Sequence, residues 1–248
     1  MKKTNEKLSS TLILFCLFLF FAGFPFADFI ADPITRYWAM GFARLIFLIL
    51  FFFLSRWWSL PSLRFHFSWA DVVYLPFFLL SFSNLLYLVI GQKNITPIGD
   101  WKLLLSEAFF CLSVALSEEA LFRGLITEEL AQKNKMGWTI LLSALIFSLS
   151  HGVNFFSLSL GEGFAQIGYT FFLGLFLALL YLGSQNFLYA VKLHFLFNFL
   201  NNYLYASFYQ GEWDFLFFLV NGLIGAALLS WGFFLFRALK KKDGLSSL

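Results

Sequence analysis

The 248-residue chain is short of charge: Asp, Glu, Lys and Arg make up 12% of it. A soluble globular domain carries about 25%. So few charges cannot clothe a water-facing surface of this size, which excludes an ordinary soluble enzyme and a disordered chain. Cysteine is scarce as well. Cys16 and Cys111 are the two present, far apart and without metal-ligand spacing. They exclude a disulfide scaffold and read as small buried hydrophobes. Long polar stretches are missing: residues 55–71 and 91–101 are the longest, and neither can bury a core. The every-second-residue alternation of an outer-membrane barrel is absent, and no internal repeat recurs at a fixed period. A net charge of +3 gives no sign of nucleic-acid binding.

What remains is apolar. Hydrophobic residues are 60% of the chain and mean hydropathy is +0.79. A membrane-crossing helix needs about 20 mostly apolar residues. Eight runs qualify: Thr11–Phe29, Trp38–Leu54, Val72–Ile90, Leu103–Ile126, Trp138–Phe156, Phe164–Leu182, Leu188–Phe208 and Phe215–Phe236. The first resembles a signal peptide, with Met1-Lys2-Lys3 as its basic end. Pro25-Phe26-Ala27 is a poor cleavage site, so a retained helix is the preferred reading. The expectation is a single all-α transmembrane bundle over residues 1–248, a multi-pass protein of the plasma membrane.

Orientation follows from Lys and Arg. With the N-terminus in the cytoplasm, the inside segments hold Lys2, Lys3, Lys7, Arg56, Arg64, Lys133, Lys135, Arg237, Lys240, Lys241 and Lys242. The outside segments hold Arg36, Lys93 and Lys102. The bias places both termini inside. Trp38, Trp57, Trp58, Trp69, Trp101, Trp138 and Trp213 fall at span ends, as headgroup-level tryptophans do.

Ionisable groups inside hydrocarbon are costly and are functional candidates by default. Arg44, Arg123 and Lys192 are the cations that fall within spans; Glu107 and Lys192 belong to no motif, and Lys192 reads as a snorkelling side chain. Span 4 carries Ser117-Glu118-Glu119-Ala120-Leu121-Phe122-Arg123, span 5 carries Phe147 to His151, and span 7 carries His194 to Asn198. Glu119 and Arg123 stand i,i+4 and can pair on one face. Glu118 is turned from Glu119 by about 100° and points elsewhere. Spans 4 and 5 form a hairpin that turns near Asn134-Lys135, which sets Glu118 level with His151. A carboxylate level with an imidazole can deprotonate a water between them. A second imidazole and an amide, His194 and Asn198, can donate to a developing oxyanion. Glu118, His151 and His194 are equally a catalytic zinc set with one open position. A transporter or proton relay is disfavoured by the lack of repeated halves.

Glu118-Glu119-x-x-x-Arg123, Phe147-x-x-x-His151 and His194-x-x-x-Asn198 resemble, in order, the three motifs of the CPBP (Abi) family of type II CAAX prenyl endopeptidases and bacteriocin-processing enzymes. The resemblance covers residues 100–205. It implies an intramembrane endopeptidase acting on a peptide or membrane-anchored protein. In it Glu118 and His151 activate water, His194 and Asn198 form the oxyanion site, and Glu119 and Arg123 hold the site in shape. The family description covers zinc and metal-free glutamate chemistry alike, so both stand, as does a non-catalytic immunity or scaffolding role. Oligomeric state is not legible.

Simpler readings apply elsewhere. Phe147 and Phe197 read as packing, and Asn201 and Asn202 as membrane-interface residues. Asn154 is placed to orient His151. Gly161 and Gly163 mark a turn, and Gly222 and Gly225 mark close helix packing. His66 falls in a cytoplasmic loop.

Overall fold

The structure, a computed structural model, describes residues 2–22, 29–57, 63–65, 68–94, 100–156, 159–204 and 214–242. His66, Trp58 and Trp213 lie outside them, as does the side chain of Asn202. Among the described residues the chain is helical throughout, with one isolated antiparallel bridge between Phe65 and Asn186.

In chain order the elements are α1 (Lys2–Ala22), α2 (Pro33–Trp57), a 3-10 segment (Trp69–Phe82) running into α3 (Ser83–Ile90), and α4 (Trp101–Leu121). A π-helical segment (Phe122–Thr127) and the short α5 (Glu128–Ala131) continue α4. The chain reverses over residues 132–135, where the sequence places the hairpin turn, into α6 (Met136–Ser150) and a 3-10 turn (His151–Phe156). There follow α7 (Leu160–Ser184), α8 (Phe187–Leu196), a second π-helical segment (Phe197–Leu204) and α9 (Phe215–Lys242).

Among the described residues five stretches are long and apolar enough to cross a bilayer: Pro33–Trp57, Asp71–Ile90, Met136–Asn154, Gly163–Ser184 and Phe215–Leu239. Ser10–Phe21 is a shorter apolar helix. Eight spans were expected; the first and seventh extend into residues 23–28 and 205–208, outside the described ones, and two of the described helices are charged or divided. The helix starting at Trp101 carries Lys102, Glu107, Glu118 and Glu119 within its 21 residues. The stretch from Phe187 is divided into a 10-residue α-helix and a π-helical continuation. The candidate site residues are themselves what takes these helices out of the apolar class.

Two glycines set how closely the site helices approach. A Cβ on Gly41 would collide with the Phe109 ring, so its absence lets α2 lie against α4. A Cβ on Gly174 would stand 3.0 Å from Ala144 Cα and 3.1 Å from Phe147 Cδ1, so α7 packs tightly on α6 there. Other glycines behave differently from expectation. Gly161 and Gly163 lie inside the first turn of α7 rather than in a loop. Gly222 and Gly225 have nothing within 4 Å of a built Cβ, so they mark no packing seam.

The core joins Leu14 and Phe18 of α1, Phe47 and Phe51 of α2, Phe77, Phe122, Phe147, and the Leu173–Tyr181 stretch of α7. Phe18 meets Phe47 and Phe122 edge-on, with ring centroids 5.5 Å apart in each pair. Asn201, read as an interface residue, is buried within the protein. The helix starting at Ser83 has no side-chain cap of its own. Asn201 supplies it from the neighbouring π segment, accepting from Asn84 N at 3.1 Å and donating to Leu80 O at 2.7 Å. This satisfies backbone groups that hydrocarbon would leave bare. Cys111 is buried and Cys16 exposed, and both are free thiols. The outward side chains, Phe52, Phe53, Leu75, Leu79, Phe233 and Phe234 among them, are exposed and apolar.

Candidate active site

Four helices meet at a cluster of ionisable groups. Glu118 and Glu119 lie in the last turn of α4, three and two residues before its end, and both are buried. Arg123 is the second residue of the π segment and is fully buried. The wide turn is closed locally by Thr127, whose hydroxyl donates to Phe122 O five residues back at 2.8 Å and meets Ser143 Oγ of α6 at 2.6 Å. A π turn places one extra residue in the helix, a device common at functional sites.

The i,i+4 pair forms as the spacing requires: Arg123 Nε lies 3.1 Å from Glu119 Oε2. The two atoms are off the hydrogen-bond line, so the contact is an ion pair rather than a linear bond. Glu119 Oε1 faces His194 Nδ1 of α8 at 2.8 Å. Glu119 therefore joins two helices of the site, with a carboxylate oxygen on each. The guanidinium of Arg123 also lies 4.6 Å from the centre of the Phe147 ring, a stabilising cation–π contact, and its Nη2 reaches Gly174 O at 3.5 Å.

Glu118 does point away from Arg123. Its Oε1 meets Arg44 Nη1 of α2 at 3.2 Å, with both side chains buried. Its Oε2 is buried and makes no hydrogen bond among the described residues. The nearest ring nitrogen is His194 Nε2 at 3.7 Å. That is too long for a direct hydrogen bond.

His151 follows α6 directly and is half-buried. Its Nδ1 sits 3.0 Å from Phe147 O, one turn back. A carbonyl accepts only, so Nδ1 carries the proton and Nε2 presents a lone pair. His151 and Glu118 stand within electrostatic reach of each other, as the level placement across the hairpin requires. The Asn154 amide donates to Gln166 Oε1 of α7 at 2.9 Å. Asn198 lies in the second π segment, four residues past His194, half-buried and outside the ion-pair network.

Phe147 is more than packing. Its ring meets His151 edge-on at 5.0 Å and His194 at 5.7 Å, besides Arg123. It forms a wall shared by both imidazoles. Sequence reasoning missed this, because one Phe among 38 carries no signal. It also missed Arg44 as a site residue, although a cation inside span 2 is the signal that singled out Glu118 and His151.

A metal site was open on Glu118, His151 and His194. Among the described residues no group of three or more His, Cys, Asp or Glu side chains converges to hold an ion. A guanidinium occupies one oxygen of Glu118, while His194 and His151 each engage Nδ1, on Glu119 and on Phe147 O, and leave Nε2 free. That arrangement suits a metal ligand and a metal-free base alike, and the steps below use only the chain's own residues.

A family model for the type II CAAX prenyl endopeptidase Rce1-like family matches residues 100–200. The match spans all three motifs, from Glu118 to Asn198, and stops short of Arg44. No curated protein and no solved structure matches the chain.

Proposed function

Residues 100–200 match the type II CAAX prenyl endopeptidase Rce1-like family, and from that likeness we propose that the chain is an intramembrane endopeptidase of this family. It cuts a peptide or membrane-anchored protein at the bilayer, with both of its own termini on the cytoplasmic side of the plasma membrane. The observation that carries this reading is the Glu118 Oε2 atom. It is a buried carboxylate oxygen without a hydrogen bond, facing an imidazole nitrogen across 3.7 Å.

A water beside Glu118 Oε2 can give its proton to that carboxylate, with the lone pair of His151 Nε2 as the second base. The oxygen attacks the scissile carbonyl carbon. The charge that develops on the carbonyl oxygen is met by the Asn198 amide. His194 holds Nδ1–H on Glu119, so its Nε2 becomes a donor only when the ring takes a second proton. Collapse breaks the C–N bond, and the proton held by the Glu118 pair passes to the leaving nitrogen. The products are one carboxylate end and one amine end, together heavier than the substrate by one water. Glu119 and Arg123 fix His194 and the Phe147 wall and take no proton.

The test is cleavage of a fluorogenic peptide panel, with and without a lipidated C-terminal cysteine, by purified protein in detergent. Wild type should cleave at least one member. Glu118→Gln and His151→Ala should each lose about 100-fold or more, at unchanged membrane levels. Full activity in Glu118→Gln would remove the assignment.

One observation favours a second reading, a non-catalytic immunity or scaffolding protein on the same fold. Glu118 and Glu119 are already balanced by Arg44 and Arg123, as a purely structural network requires. In that case partner binding, and not cleavage, survives both substitutions.

A further inference from the structure

Arg44 lies in α2, outside the matched residues 100–200, yet it touches the carboxylate on which the proposed reaction turns. We propose that Arg44 is a positioning residue for Glu118, holding one carboxylate oxygen so that the other is presented to the attacking water; this rests on the protease reading above.

Three observations carry it. The first is the division of the carboxylate. Oε1 is taken by Arg44 Nη1 at 3.2 Å, and Oε2 is left facing His194 Nε2 at 3.7 Å. A glutamate side chain has three rotatable bonds, and anchoring one oxygen selects which way the other points. The second is the support behind Arg44. Its guanidinium carbon lies 5.1 Å from the centre of the Phe18 ring of α1, and three residues earlier Gly41 lets α2 close on α4. The cation is thus held by packing on both sides. The third is charge. Glu118 and Glu119 are two negative charges in a buried cluster, and Arg123 balances one. Arg44 balances the other, with His151 and His194 facing Glu118 from α6 and α8 and Tyr169 within its reach from α7. Removing Arg44 leaves an uncompensated anion away from water.

The position argues against Arg44 reading a substrate's terminal carboxylate. In an endopeptidase that group is at least two residues from the scissile bond, about 7 Å along an extended chain. Arg44 stands on the proposed base itself.

The experiment compares wild type, R44Q, R44M, R44K, E118Q and E118Q/R44Q by cleavage kinetics on the lipidated fluorogenic peptide and by thermal unfolding in detergent. R44Q should lower kcat about 100-fold, as a misplaced catalytic group does, with KM within about threefold, and R44K should recover part of the loss. R44M suits the apolar surroundings and carries the same test if R44Q is unstable. In the thermal series E118Q and R44Q break the same ion pair, so the loss in E118Q/R44Q should be smaller than the sum of the two single losses. Wild-type kcat in R44Q or R44M, alongside an inactive E118Q, overturns this inference and leaves the protease reading standing. Simple addition of the two thermal losses also overturns it. A wild-type protein that cleaves nothing overturns both together.

Discussion

At the scale of single residues, the site separates groups that hold from groups that react. Asn198 makes no hydrogen bond among the described residues and has no resting contact of that kind to lose. Asn198→Ala should therefore lower kcat by about 10²- to 10³-fold, the cost of one oxyanion donor, and leave the unfolding midpoint in detergent unchanged. A lowered midpoint with unchanged kcat would make Asn198 structural. Phe147→Ala is expected to do the reverse in proportion. It removes a buried ring that touches Arg123, His151 and His194, at about 3–5 kcal/mol of stability. The midpoint should fall steeply, read by the same thermal series. The motif residues were legible in the sequence because intramembrane charge is expensive. Arg44 met the same rule, but its partner is 74 positions away, and only the fold reveals that distance closing.

At the scale of elements, the seam between α6 and α7 carries the Phe147 wall into the site. Gly174→Val should both destabilise the protein and reduce cleavage. Its Cβ would sit 3.0 Å from Ala144 Cα, which cannot swing aside, and 3.1 Å from the Phe147 ring. Gly222→Ala and Gly225→Ala have open space around them inside α9, so they should leave cleavage unchanged and hold or slightly raise the unfolding midpoint. Their sequence spacing suggested a packing motif, which shows that small-residue spacing alone does not name the face that is used. The outer latch between α3 and α9 has a pH signature. Asp214 accepts from Lys93, and that contact holds its carboxyl below the ordinary range. A depressed folded value stabilises above the unfolded one and is lost as pH falls through the folded one. Thermal midpoints of wild type should therefore drop more than those of Asp214→Asn on acidification below the ordinary carboxylate range. The π turns at Phe122–Thr127 and Phe197–Leu204 were not legible. They depend on one-residue register shifts that a 3.6-residue periodicity cannot express.

At the scale of the whole molecule, composition made the helical membrane class plain, because no other class tolerates so little charge. The number of spans was less plain. Hydropathy counts apolar runs, and a helix that carries buried carboxylates and a guanidinium blurs the count. The Lys and Arg bias predicts that cysteines introduced near Asn134 react only with reagent on the cytoplasmic side. Labelling from outside would invert the topology. Digestion of one cleavable peptide in H2 18O by wild type and Glu118→Gln shows whether Glu118 activates water for peptide hydrolysis. Wild type should give two fragments whose masses sum to the peptide plus one labelled water, with the label in the new carboxylate. Glu118→Gln at equal membrane level should give none. Labelled cleavage by Glu118→Gln at the wild-type rate would contradict the account.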